Sequence, residues 1–297
     1  MLQLRAPAKL NLYLRVLGRR PDGYHELETL FERIDLADEL RFESRPQGLT
    51  LTSAETALSC GDDNLVVRAA RLLQAACGTG QGASIQLIKR IPIAAGLGGG
   101  SSDAATTLLG LNTLWGLGWR RERLLPLAAR LGSDVPFFLH ETPFAVGRGR
   151  GEQCQPCAEG LRLSHVLVVP PERLATREVY AGAQFDLTAP RPSISIGEHA
   201  LRNGSLSELA TGLWNDLQPE AIRRCPVISI ITTRLRTVGC SGVSLSGSGP
   251  AVFGLCRDRA HAQAVAEQLQ AKAPSPWRIE IVHTDPSADQ RGPWGVV

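Results

Sequence analysis

The chain has 297 residues, 43 % of them hydrophobic, and its 32 basic and 29 acidic side chains leave a net charge of +3. That length admits two modest domains, the mild and well-mixed charge does not suggest a nucleic-acid footprint, and no apolar run reaches the length of a membrane span. Seven scattered cysteines argue against a disulfide framework and suit a reducing compartment. Met1 to Pro7 lacks the apolar core of a leader, so a cytoplasmic protein is expected.

In chain order, residues 1–17 alternate as a strand and Gly18 to Gly23 form a turn. Leu27–Leu36 and Leu40–Phe42 continue as strand-like runs. Asp62-Asp63-Asn64 opens a helix bearing Leu65, Ala69, Leu72, Leu73 and Ala76, closed by Gly78. A strand at Ser84–Ile88 leads through a glycine-rich loop into a second helix, whose apolar positions Ala104, Leu108, Leu111 and Trp115 recur at helical spacing. Ser101 or Ser102 is its expected cap and Gly116 its stop. A third helix covers Arg121–Leu131, and Asp134 follows at a helix-to-strand junction. His165–Val169 opens a second series with a buried-type strand, and Pro170–Gly197, rich in proline and polar residues, reads as a long excursion. Helical patterns follow at Ser207–Leu213 and Val227–Thr237, then two strands around a glycine turn in Val243–Phe253, a helix over Ala260–Ala271 and a strand at Arg278–Val282. The pattern is α+β, with a boundary near residue 155 that separates 1–155 from 156–285 and leaves 286–297 as a tail.

The loop Ile91-Pro-Ile-Ala-Ala-Gly-Leu-Gly-Gly-Gly-Ser-Ser-Asp-Ala-Ala105 carries the first chemical signal. Gly96, Gly98, Gly99 and Gly100 let the backbone approach a ligand, and the free N–H groups at the following helix N-terminus suit phosphate. No lysine follows the last glycine, so this is not the common nucleotide P-loop, and the glycine spacing does not fit the dinucleotide fingerprint either. Any lysine must come from elsewhere. Only three of the 32 basic side chains are lysines, Lys9, Lys89 and Lys272, which marks each as a candidate for a compact ammonium. Cys154-Gln-Pro-Cys157 is a lone CxxC with no second pair, too little for a metal site.

Phosphoryl transfer needs a phosphate cradle, cationic charge and a group that handles the acceptor hydroxyl. Ala6-Pro-Ala-Lys-Leu-Asn11 with Asp22-Gly-Tyr-His-Glu26, Leu131-Gly-Ser-Asp-Val-Pro136 and Leu245-Ser-Gly-Ser-Gly-Pro250 could supply the rest. Singly, each has an ordinary reading: Lys9 as a solvated strand lysine, Asp134 as an Asx-turn residue, His25 as packing beside Tyr24.

Together with Gly147-Arg-Gly-Arg-Gly-Glu152, these segments resemble the GHMP kinase superfamily over essentially residues 1–283. The resemblance implies a two-domain fold, with a ribosomal-protein-like β/α N-terminal domain and a ferredoxin-like C-terminal domain. It implies ATP and Mg²⁺ as cofactors, with ATP on Pro92, Ile93, Ala94, Ala95, Gly96, Leu97, Gly98, Gly99, Gly100, Ser101 and Ser102, and with Asn64 and Val66 near the base. Asp134 matches the general base and Lys9 its partner. Tyr24 and His25 match residues that recognise a cytosine, Tyr180 falls where an aromatic would stack on the base's other face, and Asn11 lies within reach of substrate. The implied activity is phosphorylation of the 2-hydroxyl of a cytidine diphosphate-linked methylerythritol, on the non-mevalonate route to isoprenoids. A monomer or homodimer with a small-molecule substrate and no nucleic-acid or membrane partner is expected. A mevalonate or homoserine kinase is the nearest rival, although Gly-Tyr-His has no evident purpose there, and an RNA-binding module of similar shape is the rival from another class. Residues 183–210 depart most from the resemblance, and no role is carried onto them.

Overall fold

The computed structural model describes residues 1–157, 161–271 and 276–285; the expected tail at 286–297 and Lys272 lie outside them. The frame is a long hairpin of β1 (Leu2–Arg19) and β2 (His25–Arg45), antiparallel throughout. The expected break in β2 does not occur. Asp38 interrupts the apolar pattern there, yet it is fully buried within the strand, accepting hydrogen bonds from the Arg90 and Ile91 N–H groups. The outer edge of β2 is shared: residues 39–45 pair with β4 (Gly82–Ile88), and residues 27–32 with β5 (Phe144–Gly149). β3 (Leu49–Ser53) and β6 (Gln153–Pro156) extend the sheet beyond β4 and β5.

Three helices, α1 (Leu65–Cys77), α2 (Gly99–Leu114) and α3 (Arg121–Leu131), cover one face of this sheet around a core that includes Phe31, Phe42, Leu73, Leu108 and Phe137. Asn64 caps α1 by accepting from Val66 N at 2.8 Å, and Gly78 ends it in the left-handed conformation. The start of α2 departs from expectation. Its N-cap is Gly98, left-handed at φ 69°, and Ser101 and Ser102 lie inside the first turn without capping it. α2 sits close to the sheet because Gly110 has no side chain; a Cβ there would lie 2.6 Å from the Phe42 ring. Asp134, in turn, is followed by a single 3₁₀ turn at Pro136–Leu139 rather than by a strand.

The second sheet contains β7 (Ser164–Val169), β9 (Gly242–Leu245), β10 (Val252–Cys256) and β11 (Arg278–His283), in the order β11-β7-β10-β9 and antiparallel throughout. With helices between β7 and β9, and α9 (Arg259–Gln270) between β10 and β11, this is a ferredoxin-like βαββαβ layer. The stretch expected as an excursion contains α4 (Thr176–Gly182) and the start of α5 (Ile194–Asn203). After α6 (Leu206–Gly212), the short β8 (Trp214–Asn215) returns to pair in parallel with Tyr13 and Leu14 of β1. α7 (Gln218–Arg224) and α8 (Val227–Thr237) complete the layer, α7 without a counterpart in the sequence reading.

Between the sheets, Leu10, Leu30, Ile34, Leu167 and Phe253 form an apolar core bolted by a buried polar cluster. Glu32 Oε2 meets His165 Nε2 at 2.8 Å, and Glu32 Oε1 accepts from the Thr284 hydroxyl at 2.8 Å. Both Glu32 oxygens are thereby paired, while His165 Nδ1 on the far side of the ring is buried without a partner.

Candidate active site

Along one side of the β1–β2 hairpin lies a cavity of about 1550 Å³. Lys9, on β1, is only 3 % exposed, and its Nζ donates to Asn11 Oδ1 and stands 3.6 Å from Asp134 Oδ2. Asn11 Nδ2 donates to the Thr29 hydroxyl at 2.8 Å, and that hydroxyl donates to the Tyr13 carbonyl at 2.6 Å. The ammonium is therefore aimed by a chain of hydrogen bonds rooted in the sheet. Burial pushes the Lys9 pKa down, and the nearby Asp134 carboxylate opposes that shift. Asp134 itself is partly open to the cavity, with 32 % of its side chain exposed.

The glycine loop passes directly over this pair. Leu97 O accepts from Lys9 N at 3.0 Å, and a Cβ on Gly98 would lie 2.9 Å from Lys9 Cγ. From the second half of the chain, the Ser246–Pro250 turn locks the loop in place. The Ser246 hydroxyl donates to Gly96 O at 2.9 Å, and Ala251 N donates to Ala95 O at 3.2 Å. The loop's carbonyls are thus used by protein partners, while the N–H groups of Gly99, Gly100 and Ser101, which precede the first intrahelical bond from Ser102 N to Gly98 O, form an anion cradle. Gly247 completes the closure at φ 55°; a Cβ there would lie 3.1 Å from Lys9 Nζ.

Beneath the cradle, Lys89 Nζ binds Asp38 and donates to Asp103 Oδ2 at 2.8 Å. Two carboxylates share one ammonium out of water, so Asp103 is pushed up to about 7 by burial, with Asp38 adding to the shift and Lys89 opposing it. Asp103 Oδ1 and Ser102 Oγ are buried without hydrogen-bond partners.

At the hairpin end of the cavity, the His25 imidazole stacks on the Tyr180 ring with centroids 5.2 Å apart at 26°. Tyr24 is 53 % exposed, with the Arg150 guanidinium 4.8 Å from its ring centre. Burial lowers the His25 pKa, with Arg19 adding to the shift, and burial raises that of the Tyr180 hydroxyl.

Of the residues singled out in the sequence, Lys9, Asn11, Tyr24, His25, Asn64, Asp134 and Tyr180 line this cavity, as does the loop from Pro92 to Ser101. Two others do not. Ser102 is fully buried beneath the loop, and Val66 packs into the core while its neighbour Leu65 lines the cavity. The Asn64 side chain is engaged in capping α1 and in donating to Ser59 O at 2.6 Å. Lys89 was signalled only by the scarcity of lysine. Asp103 and Arg150 lay inside quoted motifs with no role of their own, and Asp38 and Phe185 carried no motif. At the CxxC, burial pushes the Cys154 and Cys157 thiols up to about 12 and 11, which keeps both protonated near neutrality. Among the described residues no cluster of three or more histidine, cysteine or acidic side chains could hold a metal ion, and no helix is long and apolar enough to cross a membrane.

A glycine cradle over a buried lysine paired with a cavity-facing aspartate, inside this two-sheet fold, is the equipment of a small-molecule phosphotransferase. Residues 64–142 match the GHMP kinases N-terminal domain, and residues 198–275 the GHMP kinases C-terminal family. The chain is 43 % identical over 271 residues to the 4-diphosphocytidyl-2-C-methyl-D-erythritol kinase of Pelotomaculum thermopropionicum, spanning 89 % of this chain and 92 % of that one. A crystal structure of 4-(cytidine 5'-diphospho)-2C-methyl-D-erythritol kinase superposes with a TM-score of 0.79 at 39 % identity, covering 95 % of this chain and 99 % of the other. Homoserine kinase from Cytophaga hutchinsonii, at TM-score 0.75 and 18 % identity over 95 % of this chain and 94 % of its own, shares the fold. The chain belongs to the GHMP kinases, and within them to the family of 4-diphosphocytidyl-2-C-methyl-D-erythritol kinases. Its phosphoryl donor is accordingly ATP.

Proposed function

We propose that this chain transfers the γ-phosphoryl group of ATP to the 2-hydroxyl of 4-diphosphocytidyl-2-C-methyl-D-erythritol, with Asp134 as base and Lys9 as its electrostatic partner. The observation that carries the reading is convergence: the Lys9–Asp134 pair, the glycine cradle and the His25–Tyr180 stack all open onto one cavity. A tertiary alcohol is a crowded nucleophile of very high pKa, so Asp134 serves by orienting it and accepting its proton late. Lys9, 3.6 Å from that carboxylate, offsets negative charge as the oxygen attacks. Asn11 fixes the ammonium from the other side and is within reach of the acceptor. The loop Pro92–Ser101 holds the phosphates, with the N–H groups of Gly99, Gly100 and Ser101 as donors, Asn64 lies toward the nucleotide base, and most of the acceleration comes from positioning.

The donor set suits Mg²⁺, which keeps several waters and is ordinarily held by one or two carboxylates together with substrate phosphates. When bound with the nucleotide, the ion would neutralise phosphate charge, leaving Asp134 free to act as base. Tyr24, His25 and Tyr180 form the cytosine pocket, where stacking contributes about 1–3 kcal/mol by analogy with single-stranded nucleic-acid sites. The enzyme works in the cytoplasm on a small-molecule substrate, as two domains spanning 1–155 and 156–285.

The deciding experiment measures ATP consumption with 4-diphosphocytidyl-2-C-methyl-D-erythritol, mevalonate and homoserine in parallel. Turnover is expected with the first alone; turnover of either other alcohol without it overturns the assignment. Asp134→Asn is expected to lower kcat by orders of magnitude with the KM for ATP little changed, and a normal kcat removes Asp134 as the base.

A further inference from the structure

One side chain reaches His25 from a segment that carries no motif. Phe185, half-buried in the loop after α4, sets its ring edge-on to the His25 imidazole at 5.4 Å and 68°, while Tyr180 covers the face of the same imidazole. Phe185 and Leu187 both line the cavity.

The loop that carries them is anchored at its far end. Arg191 Nε donates to Asp216 Oδ1 at 2.7 Å, and both side chains are nearly out of water. Asp216 also accepts from Trp214 Nε1 at 2.7 Å and from Val16 N at 2.9 Å, and the Tyr13 hydroxyl donates to Pro192 O at 2.9 Å. Asp186 Oδ1 accepts from the N–H and the hydroxyl of Thr188, which closes the tip on itself. Phe185 is therefore held between α4 on one side and a buried ion pair on the other.

A face contact fixes the plane of an imidazole but leaves two orientations about the Cβ–Cγ bond, related by a 180° flip that exchanges its nitrogens with its ring carbons; an added T-shaped contact from one side distinguishes them. Direction decides what such a ring can read. A neutral imidazole offers one donor and one acceptor, whereas an imidazolium offers two donors. Cytosine presents an exocyclic amino donor beside a ring acceptor, and uracil presents a carbonyl acceptor beside an N–H.

We propose that Phe185 is a positioning residue for base recognition: its ring edge, acting with the face of Tyr180, holds the His25 imidazole in the orientation that selects cytosine over uracil. The inference rests on the cytosine-pocket reading above. The apolar wall also works against an imidazolium, since burial is the main cause of the lowered His25 pKa. The charged groups around the ring are Arg19 on β1, whose positive charge acts in the same direction, and Asp22 and Arg150, which line the same cavity.

The test compares the parent enzyme with Phe185→Ala, Phe185→Tyr and His25→Ala, using the cytidyl substrate and its uridyl analogue, and follows the His25 ring protons by NMR as a function of pH. Phe185→Ala is expected to raise the KM for the cytidyl substrate roughly five- to tenfold, the range expected for loss of one aromatic contact and its burial, with kcat and the KM for ATP within about twofold of the parent. It is also expected to narrow the preference for cytidyl over uridyl substrate and to move the His25 titration upward. Phe185→Tyr, which keeps the ring, is expected to restore all three. If His25→Ala raises the KM for the cytidyl substrate but Phe185→Ala leaves KM, base preference and titration unchanged, the role of Phe185 is overturned while the pocket stands. If His25→Ala itself leaves that KM unchanged, the pocket reading falls and takes the inference with it.

Discussion

Gly247 offers a sharp test of whether the Ser246–Pro250 turn sets the catalytic geometry or merely closes the loop. In Gly247→Ala the new Cβ would stand 3.1 Å from Lys9 Nζ, 3.1 Å from Gly96 O and 3.4 Å from Asn11 Oδ1, at φ +55°. Gly78 provides the control: its φ is +68°, yet a Cβ there meets nothing within 4 Å. Both substitutions carry the left-handed backbone cost of about 1–2 kcal/mol. Only the first also presses on the ammonium, which must retreat by a few tenths of an ångström from a position already 3.6 Å from Asp134. Misplacement by about 1 Å costs on the order of a hundredfold, so a shift of a few tenths of an ångström translates into a kcat lower by roughly four- to tenfold. Steady-state kinetics on both variants, with urea midpoints for stability, separates the two terms. Similar losses of stability are expected, with a kcat deficit in Gly247→Ala alone. Full kcat in Gly247→Ala would refute the idea that this turn positions Lys9.

Two further outcomes follow from the charge clusters. Asp103, held up at about 7 in the fold against an ordinary 3.8, binds its proton more tightly folded than unfolded, so its contribution to stability declines as pH rises from about 4 through about 7. Asp103→Asn should flatten that decline in urea midpoints taken between pH 5 and pH 8; an unchanged slope would show that the carboxyl does not titrate there. Arg191→Ala strands Asp216 in a buried site, a change that ordinarily costs about 3–5 kcal/mol, and should also raise the KM for the cytidyl substrate because the loop bearing Phe185 loses its anchor. A loss below about 1 kcal/mol with an unaltered KM would mean that the loop is held by other contacts.

Local periodicity made most of the frame legible. The alternation in β1, the Asn64 and Gly78 signals around α1 and the apolar spacing of α2 are properties of neighbouring residues, and each element forms where those signals lie. The departures have a common origin in distant partners. Asp38 looks like a strand break until Lys89 and the Arg90 and Ile91 N–H groups arrive from across the sheet. Ser101 and Ser102 have the chemistry of a cap, but Gly98 turns the chain into the helix before them. α7 opens on Gln218-Pro219 and is too short for a periodic signal. Among the candidate site residues, Lys9, His25 and Asp134 lie in compact motifs and were readable. Phe185 was not, since an aromatic in an irregular loop acquires meaning only from the ring it touches, and Arg150, though inside the Gly147–Glu152 motif, gained a role only from its contact with Tyr24.

The hairpin has one further consequence. The His25 end of the cavity and the Thr29–Asn11–Lys9 end are joined by a single uninterrupted run of β2, His25–Thr29, which spans about 13 Å at the ordinary rise of a strand. That run is a caliper. A substrate engages both jaws only if its base and its reacting hydroxyl are separated by the matching span, so the sheet measures length as well as chemistry. Strand pleating allows the gauge to be reset only in steps of two residues, because a single insertion would turn His25 to the opposite face.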